Sequence, residues 1–145
     1  MPSEETNAAT RSEWRDLGFY YDKDDLAKTW RLVGSRSGLH RFAALLRAYV
    51  ADPRNQRMGE HEHHGPYMYL EIGTSHVPQI TDHWIAGSLT ALDLLATAVE
   101  TALGPATVGD RISMRAGFAP STEFDLILEV RPGDFDPAQE DHKCW

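Results

Sequence analysis

Trp30-Arg-Leu-Val-Gly-Ser-Arg-Ser-Gly-Leu-His-Arg-Phe-Ala-Ala-Leu-Leu-Arg-Ala-Tyr-Val50 decides the fold, because its apolar residues change period midway. Trp30 to Val33 reads as a short strand. From Ser37 to Val50 the pattern turns helical: Leu39, Phe42, Leu45, Leu46, Tyr49 and Val50 recur on one stripe, with Arg36, His40, Arg41 and Arg47 largely between them. The side-chain oxygen of Ser35 or Ser37 can cap the unpaired N–H groups of the first turn. Asp52-Pro53 ends the helix, since proline brings no N–H to continue it.

Working outward, Trp84-Ile-Ala-Gly-Ser88 leads into a second helix in the same way, with Leu89, Leu92, Leu95, Val99 and Leu103 on one stripe and Gly104-Pro105 as its end. This echo suggests a duplication, although Gly-Ser is an ordinary helix entry. Tyr67 to Ile72 alternates, placing Met68, Leu70 and Ile72 on one face and Tyr67, Tyr69 and Glu71 on the other. Leu17–Tyr21, Gln79–Ala86, Arg111–Ala116 and Phe124–Val130 complete the strands, the last burying Phe124, Leu126, Leu128 and Val130. The expected fold is α+β: an antiparallel sheet with two helices on one face, in a split-βαβ (ferredoxin-like) layout with additional strands. Residues 1–12 lack periodicity and read as a flexible N-terminal tail, 13–131 as the single domain, and 132–145 as an acidic C-terminal tail.

With 145 residues, 41% apolar and 25% charged, the chain has the size and composition of one globular domain. No apolar run approaches the roughly 20 residues of a membrane helix. No basic segment leads into an apolar one at the start, so a cytoplasmic protein without a membrane partner is expected. The net charge of −8 argues against nucleic acid, which calls for a basic stripe. Residues 1–59 hold ten Lys/Arg and eight Asp/Glu, whereas residues 60–145 hold four and fourteen. That acidic field suits a basic partner. Cys144 is the only cysteine, which excludes an internal disulfide, and its place beside Trp145 suggests exposure.

Chemistry concentrates in Gly59-Glu-His-Glu-His-His-Gly-Pro66. In extended backbone His61 and His63 share a face, an arrangement that suits zinc or another divalent metal, and His76 or His83 can supply a third ligand. The spacing is not that of HExxH, and a solvated loop entering a strand explains the same residues. The sequence calls for no other cofactor. Ser75 and His76 point to opposite faces of a strand and cannot act as nucleophile and base. No nucleophile elbow or phosphate loop occurs, so no catalytic residue emerges. Tyr67, Tyr69 and Glu71, with Glu60 and Glu62 nearby, form the candidate partner surface, because exposed tyrosines beside charge are typical of interfaces. Cross-strand packing of the tyrosines is the plainer reading.

The run from Glu60 to Thr74, above all its Glu-His-Glu-His-x-Gly-Pro-Tyr-Met-Tyr-Leu string, resembles a family of small bacterial proteins assigned as immunity proteins of polymorphic-toxin systems. Trp30-Arg-Leu-Val-Gly-Ser35, Gly38-Leu39 and Ile85-Ala-Gly-Ser88 add to the likeness, which spans about residues 14–103. The resemblance implies a non-enzymatic protein that binds and neutralises a cognate toxin. Two other readings stay open. One is a metal-binding protein or metal-dependent hydrolase using His61 and His63. The other is a homodimer that sets the basic side of the first helix against the acidic side of the second across a two-fold axis.

Overall fold

The computed structural model describes residues 2–145. β2 (Thr29–Ser35) runs straight into α2 (Arg36–Ala51), and Ser35 Oγ accepts from Gly38 N at 3.0 Å. β6 (Ile85–Gly87) runs into α3 (Leu89–Leu103), where Ser88 Oγ accepts from Ala91 N at 3.1 Å. The two caps share a backbone conformation, φ −64° and ψ 164° at Ser35 against φ −65° and ψ 161° at Ser88. Each helix has one apolar stripe, and neither stripe can stay in water, so Leu39, Phe42 and Leu46 are buried together with Leu92, Leu95 and Val99. The polar sides meet within the same chain: Arg47 reaches Asp93 at 2.8 Å and Glu100 at 2.5 Å. The complementarity that suggested a two-fold dimer is thus used inside one subunit.

The α+β class is as expected, but the single antiparallel sheet is replaced by two mixed ones. β1 (Tyr20–Asp24), β2, β8 (Asp125–Arg131) and β7 (Arg111–Ser113) form one sheet in that order. β3 (His61–His64), β4 (Leu70–Thr74), β6 and β5 (Gln79–Ile80) form the other. In each sheet two antiparallel hairpins join along a parallel central pair, β2 with β8 and β4 with β6. The chain is therefore hairpin–helix–hairpin twice over, and each half gives one hairpin to each sheet. The register agrees: Gly34 pairs with Val130 and Gly87 with Thr74, each glycine standing just before its capping serine. The sequence echo at Trp30–Ser35 and Trp84–Ser88 marks a repeated topology.

Both expected tails are folded. Residues 4–17 form α1 (Glu4–Leu17), capped by Ser3 Oγ on Thr6 N, with Glu4 and Glu5 in the first turn and Gly18 at φ 94° closing it. Residues 132–145 are not loose either: Pro137–Glu140 and His142–Cys144 make two 3₁₀ turns that pack on α1. Trp14 is the one buried residue of α1, and its indole N–H donates to Asp141 Oδ2 at 2.9 Å. Arg15 pairs with Asp136 at 3.0 Å, and the Arg11 guanidinium donates to the Cys144 carbonyl. This contact buries Cys144, contrary to the exposure expected of a chain end. Trp14 is the single buried anchor of α1, and the C-terminal segment buries only the small or polar Pro137, Ala138, Asp141 and Cys144, so neither shows an apolar stripe.

Three strand boundaries also move. Leu17 belongs to α1, so the first strand starts only at Tyr20. Gln79–Ala86 is broken into β5 and β6 by a turn, and Arg111–Ala116 gives way after Ser113 to the short α4 (Arg115–Phe118). In β8, Phe124, Leu126, Leu128 and Val130 are buried beside or within the strand as expected, but Ile127 and Glu129 on the other face are covered too. Arg31, Arg111 and Arg131 enclose the Glu129 carboxylate at 3.2, 3.1 and 2.9 Å. Among the described residues, no helix is long and apolar enough to cross a membrane.

Candidate functional site

Tyr67-Met-Tyr69 does not continue the strand that its alternation suggests. Gly65 turns the chain at φ 76°, Pro66–Met68 forms a 3₁₀ turn, and Tyr67 (φ 66°) and Met68 (φ 56°) take left-handed backbone. Bulky L-residues rarely adopt that region, and holding one there costs about 1–3 kcal/mol. The buried Tyr21 hydroxyl holds the turn, donating to the Pro66 carbonyl and accepting from Tyr69 N at 3.2 Å. Tyr67 OH donates to Asp141 Oδ2 at 2.6 Å and ties the turn to the C-terminal segment. Met68 consequently does not share the buried face of Leu70 and Ile72. Tyr67, Met68 and Tyr69 are 44%, 59% and 66% exposed, three large side chains in a row turned to solvent.

Below them lies a cleft of about 540 Å³. Its apolar walls come from Trp14, Tyr20, Tyr21 and Trp30, and Tyr67, Met68 and Tyr69 stand at its exposed side. The aromatics are in contact: the Trp14 ring lies 4.8 Å from Tyr20 and 5.0 Å from Tyr21, and Tyr67 stacks on Tyr69 at 5.8 Å. Asp22, Glu71, Asp82 and Asp141 line the cleft against Lys23 and Lys143, an acidic surplus. Burial pushes the Tyr20 and Tyr21 phenols up to about 12, so both stay neutral donors. Burial alone would raise Asp141 as well. Donation from Tyr67, Trp14 and the Lys143 backbone outweighs it and holds the carboxyl below its ordinary value, so a negative charge persists at the base of Tyr67.

The cleft gathers three of the five expected partner residues, Tyr67, Tyr69 and Glu71, with His63 beside them. Glu60 and Glu62 do not line it. Glu62 lies on the opposite face of β3, 3.4 Å from Asn55 and 3.5 Å from His64, and Glu60 uses its backbone carbonyl to accept from Tyr49 OH at 2.8 Å. His61 and His63 share a strand face as alternation requires, their rings 5.2 Å apart. The third member of their cluster is Glu71, paired with His63 across β3 and β4, rather than His76 or His83. His83 stacks on Trp84 at 5.0 Å instead. Trp14, Tyr20, Asp141 and Lys143 were not singled out by sequence. The usable signal was Ser3-Glu4-Glu5 at one end of a helix-forming run and Gly18 at the other.

No protein-family model, curated protein or solved structure matches the chain.

Proposed function

We propose that the chain is a non-enzymatic, cytoplasmic binding protein of the immunity type, which neutralises a bacterial toxin by gripping a basic segment of it in the aromatic cleft. The observation that carries this reading is the strained display of Tyr67, Met68 and Tyr69. A left-handed turn of bulky residues is costly, and it leaves Met68 and Tyr69 turned to solvent beside a Tyr67 anchored on Asp141. Aromatic and methionine side chains so placed give large contact area at low entropic cost, and they are enriched where proteins meet. Stacked tyrosine faces beside carboxylates also suit a guanidinium or ammonium group, which gains from both the ring and the charge. The acidic second part of the chain would steer such a partner toward the cleft.

The test is to look for a toxin gene beside this one and to titrate its purified, inactivated product against the chain by calorimetry. Tyr69→Ala and Met68→Ala remove exposed side chains, so each should weaken binding by at least about tenfold while leaving the melting temperature unchanged. Full affinity in both variants would show that the partner docks elsewhere, and the absence of any one-to-one complex would overturn the immunity reading.

A further inference from the structure

We infer that His61, His63 and Glu71 form a binding site for a divalent transition-metal ion, zinc being the best fit. Their candidate ligand atoms all lie within 4.8 Å of one another. Atoms bound to one zinc at ordinary Zn–N and Zn–O lengths stand about 3.4 Å apart in tetrahedral geometry. Closing that gap needs about 1.4 Å of movement, which the exposed His61 and His63 side chains can share.

Proximity alone would be weak evidence, because histidines and acids often share a surface. The ring orientations carry more. His61 Nδ1 lies 3.0 Å from the Gly59 carbonyl, and His63 Nδ1 lies 2.9 Å from the Met68 carbonyl. A carbonyl only accepts, so each Nδ1 must carry the proton, and in the neutral ring the lone pair is left on Nε2. Fixing Nδ1–H on a backbone carbonyl is the usual way a protein orients a metal-binding imidazole. His63 Nε2 then sits 3.5 Å from Glu71 Oε1. A lone pair facing a carboxylate oxygen is repulsive, and either a proton on Nε2 or a metal ion between the two atoms turns the contact attractive. The acceptor of His63 is itself Met68 of the strained turn, so the same backbone that displays the cleft residues also sets this ligand.

The repeated topology supplies a second, independent observation. Register equates β3 and β4 with β7 and β8, placing Arg111 where His61 stands, Ser113 where His63 stands, and Ile127 where Glu71 stands. The β7–β8 hairpin forms with those residues, so the architecture does not demand the histidines or the acid. Two imidazoles and one carboxylate favour zinc and its neighbours over calcium or magnesium, which prefer all-oxygen shells. Three protein ligands leave a coordination position open, beside the cleft that His63 and Glu71 line.

The test uses the untagged full chain, stripped with chelator and titrated with Zn²⁺ alone, followed by calorimetry and melting temperature. One equivalent should bind with micromolar or tighter affinity and raise the melting temperature. Co²⁺ should bind the same site with a visible absorption band, and Ca²⁺ should not displace it. Loss of an outer-shell partner already weakens metal sites about 10- to 100-fold, so His61→Ala, His63→Ala and Glu71→Gln should each weaken Zn²⁺ at least that much. His76→Ala, at an exposed histidine outside the cluster, should bind as the wild type does. Urea melts of the metal-free variants check that they fold. No zinc binding by the wild type, or undiminished binding by the His61→Ala/His63→Ala double variant, would overturn the site.

Discussion

The carboxylate of Asp141 accepts the phenol of Tyr67 at 2.6 Å and the indole of Trp14 at 2.9 Å on the same oxygen. One acid from the C-terminal segment thus joins α1 to the turn that edges the cleft. Asp141→Ala would leave the buried Trp14 N–H without an acceptor, while the half-exposed Tyr67 hydroxyl could turn to water. The expected loss is about 2–3 kcal/mol, read as a lower urea midpoint at constant slope. Asp141→Asn keeps an acceptor oxygen and should cost clearly less. Because the folded-state pKa of Asp141 is lowered, its contribution is present above its ordinary value of 3.8 and lost as pH falls through the folded value. Equal midpoints for wild type and Asp141→Ala would show that the two ends are held by other contacts.

A second expectation concerns His64, whose Nε2 is buried without a hydrogen-bond partner, the nearest Glu62 oxygen standing 3.5 Å away. Burial pushes its pKa below the ordinary 6.5, against the opposing pull of Glu62 and with a smaller push from His63. The fold therefore holds His64 neutral while the unfolded chain protonates it. Below 6.5 the unfolded state binds more protons, so stability should fall as pH drops through that value and be fully present above it. Urea midpoints measured from about pH 8 to about pH 5 in wild type and His64→Gln test this. The variant should show a flatter dependence, and identical slopes would assign the pH response to other groups.

The two central helices were legible because everything that specifies them is local. Ser35, Ser88, the Leu39–Leu46 and Leu92–Val99 stripes, Pro53 and Gly104 lie within a few turns of one another. The parallel pairing of β2 with β8 was not, because Leu32 and Leu128 meet from opposite ends of the chain and alternation says nothing about which strand lies alongside. The terminal clasp was hidden for a different reason. Trp14 alone is buried in α1, and one anchor makes no period. At the site, the facing of His61 and His63 followed from parity, but the partnership of His63 with Glu71 needed the β3–β4 register. Tyr-Met-Tyr-Leu-Glu-Ile alternates chemically, but Gly65 turns its first half out of the strand, where the distant Tyr21 hydroxyl and Asp141 bond it.

That hydroxyl gives the last expectation. Tyr21 is buried at 4% exposure, and its oxygen both donates to the turn and accepts from Tyr69 N. Tyr21→Phe keeps the ring, and so the contacts with Trp14 and Trp30, but removes the hydroxyl that bonds the Pro66 and His64 carbonyls and Tyr69 N. Leaving a partly buried N–H and a carbonyl without a partner should cost about 1–3 kcal/mol globally. The larger effect should be local. Tyr67 and Met68 occupy left-handed backbone that is costly by itself, so a turn released from Tyr21 should relax toward extended conformations. Amide exchange at Tyr69 should then accelerate by more than the fall in global stability explains, while amides of α2 and α3 slow or quicken only with that global change. If Tyr69 N–H exchanges in step with the helices, the turn is held by its neighbours rather than by Tyr21. The strained display at the cleft would then be a property of Gly65-Pro66 and the Tyr67–Asp141 bond instead.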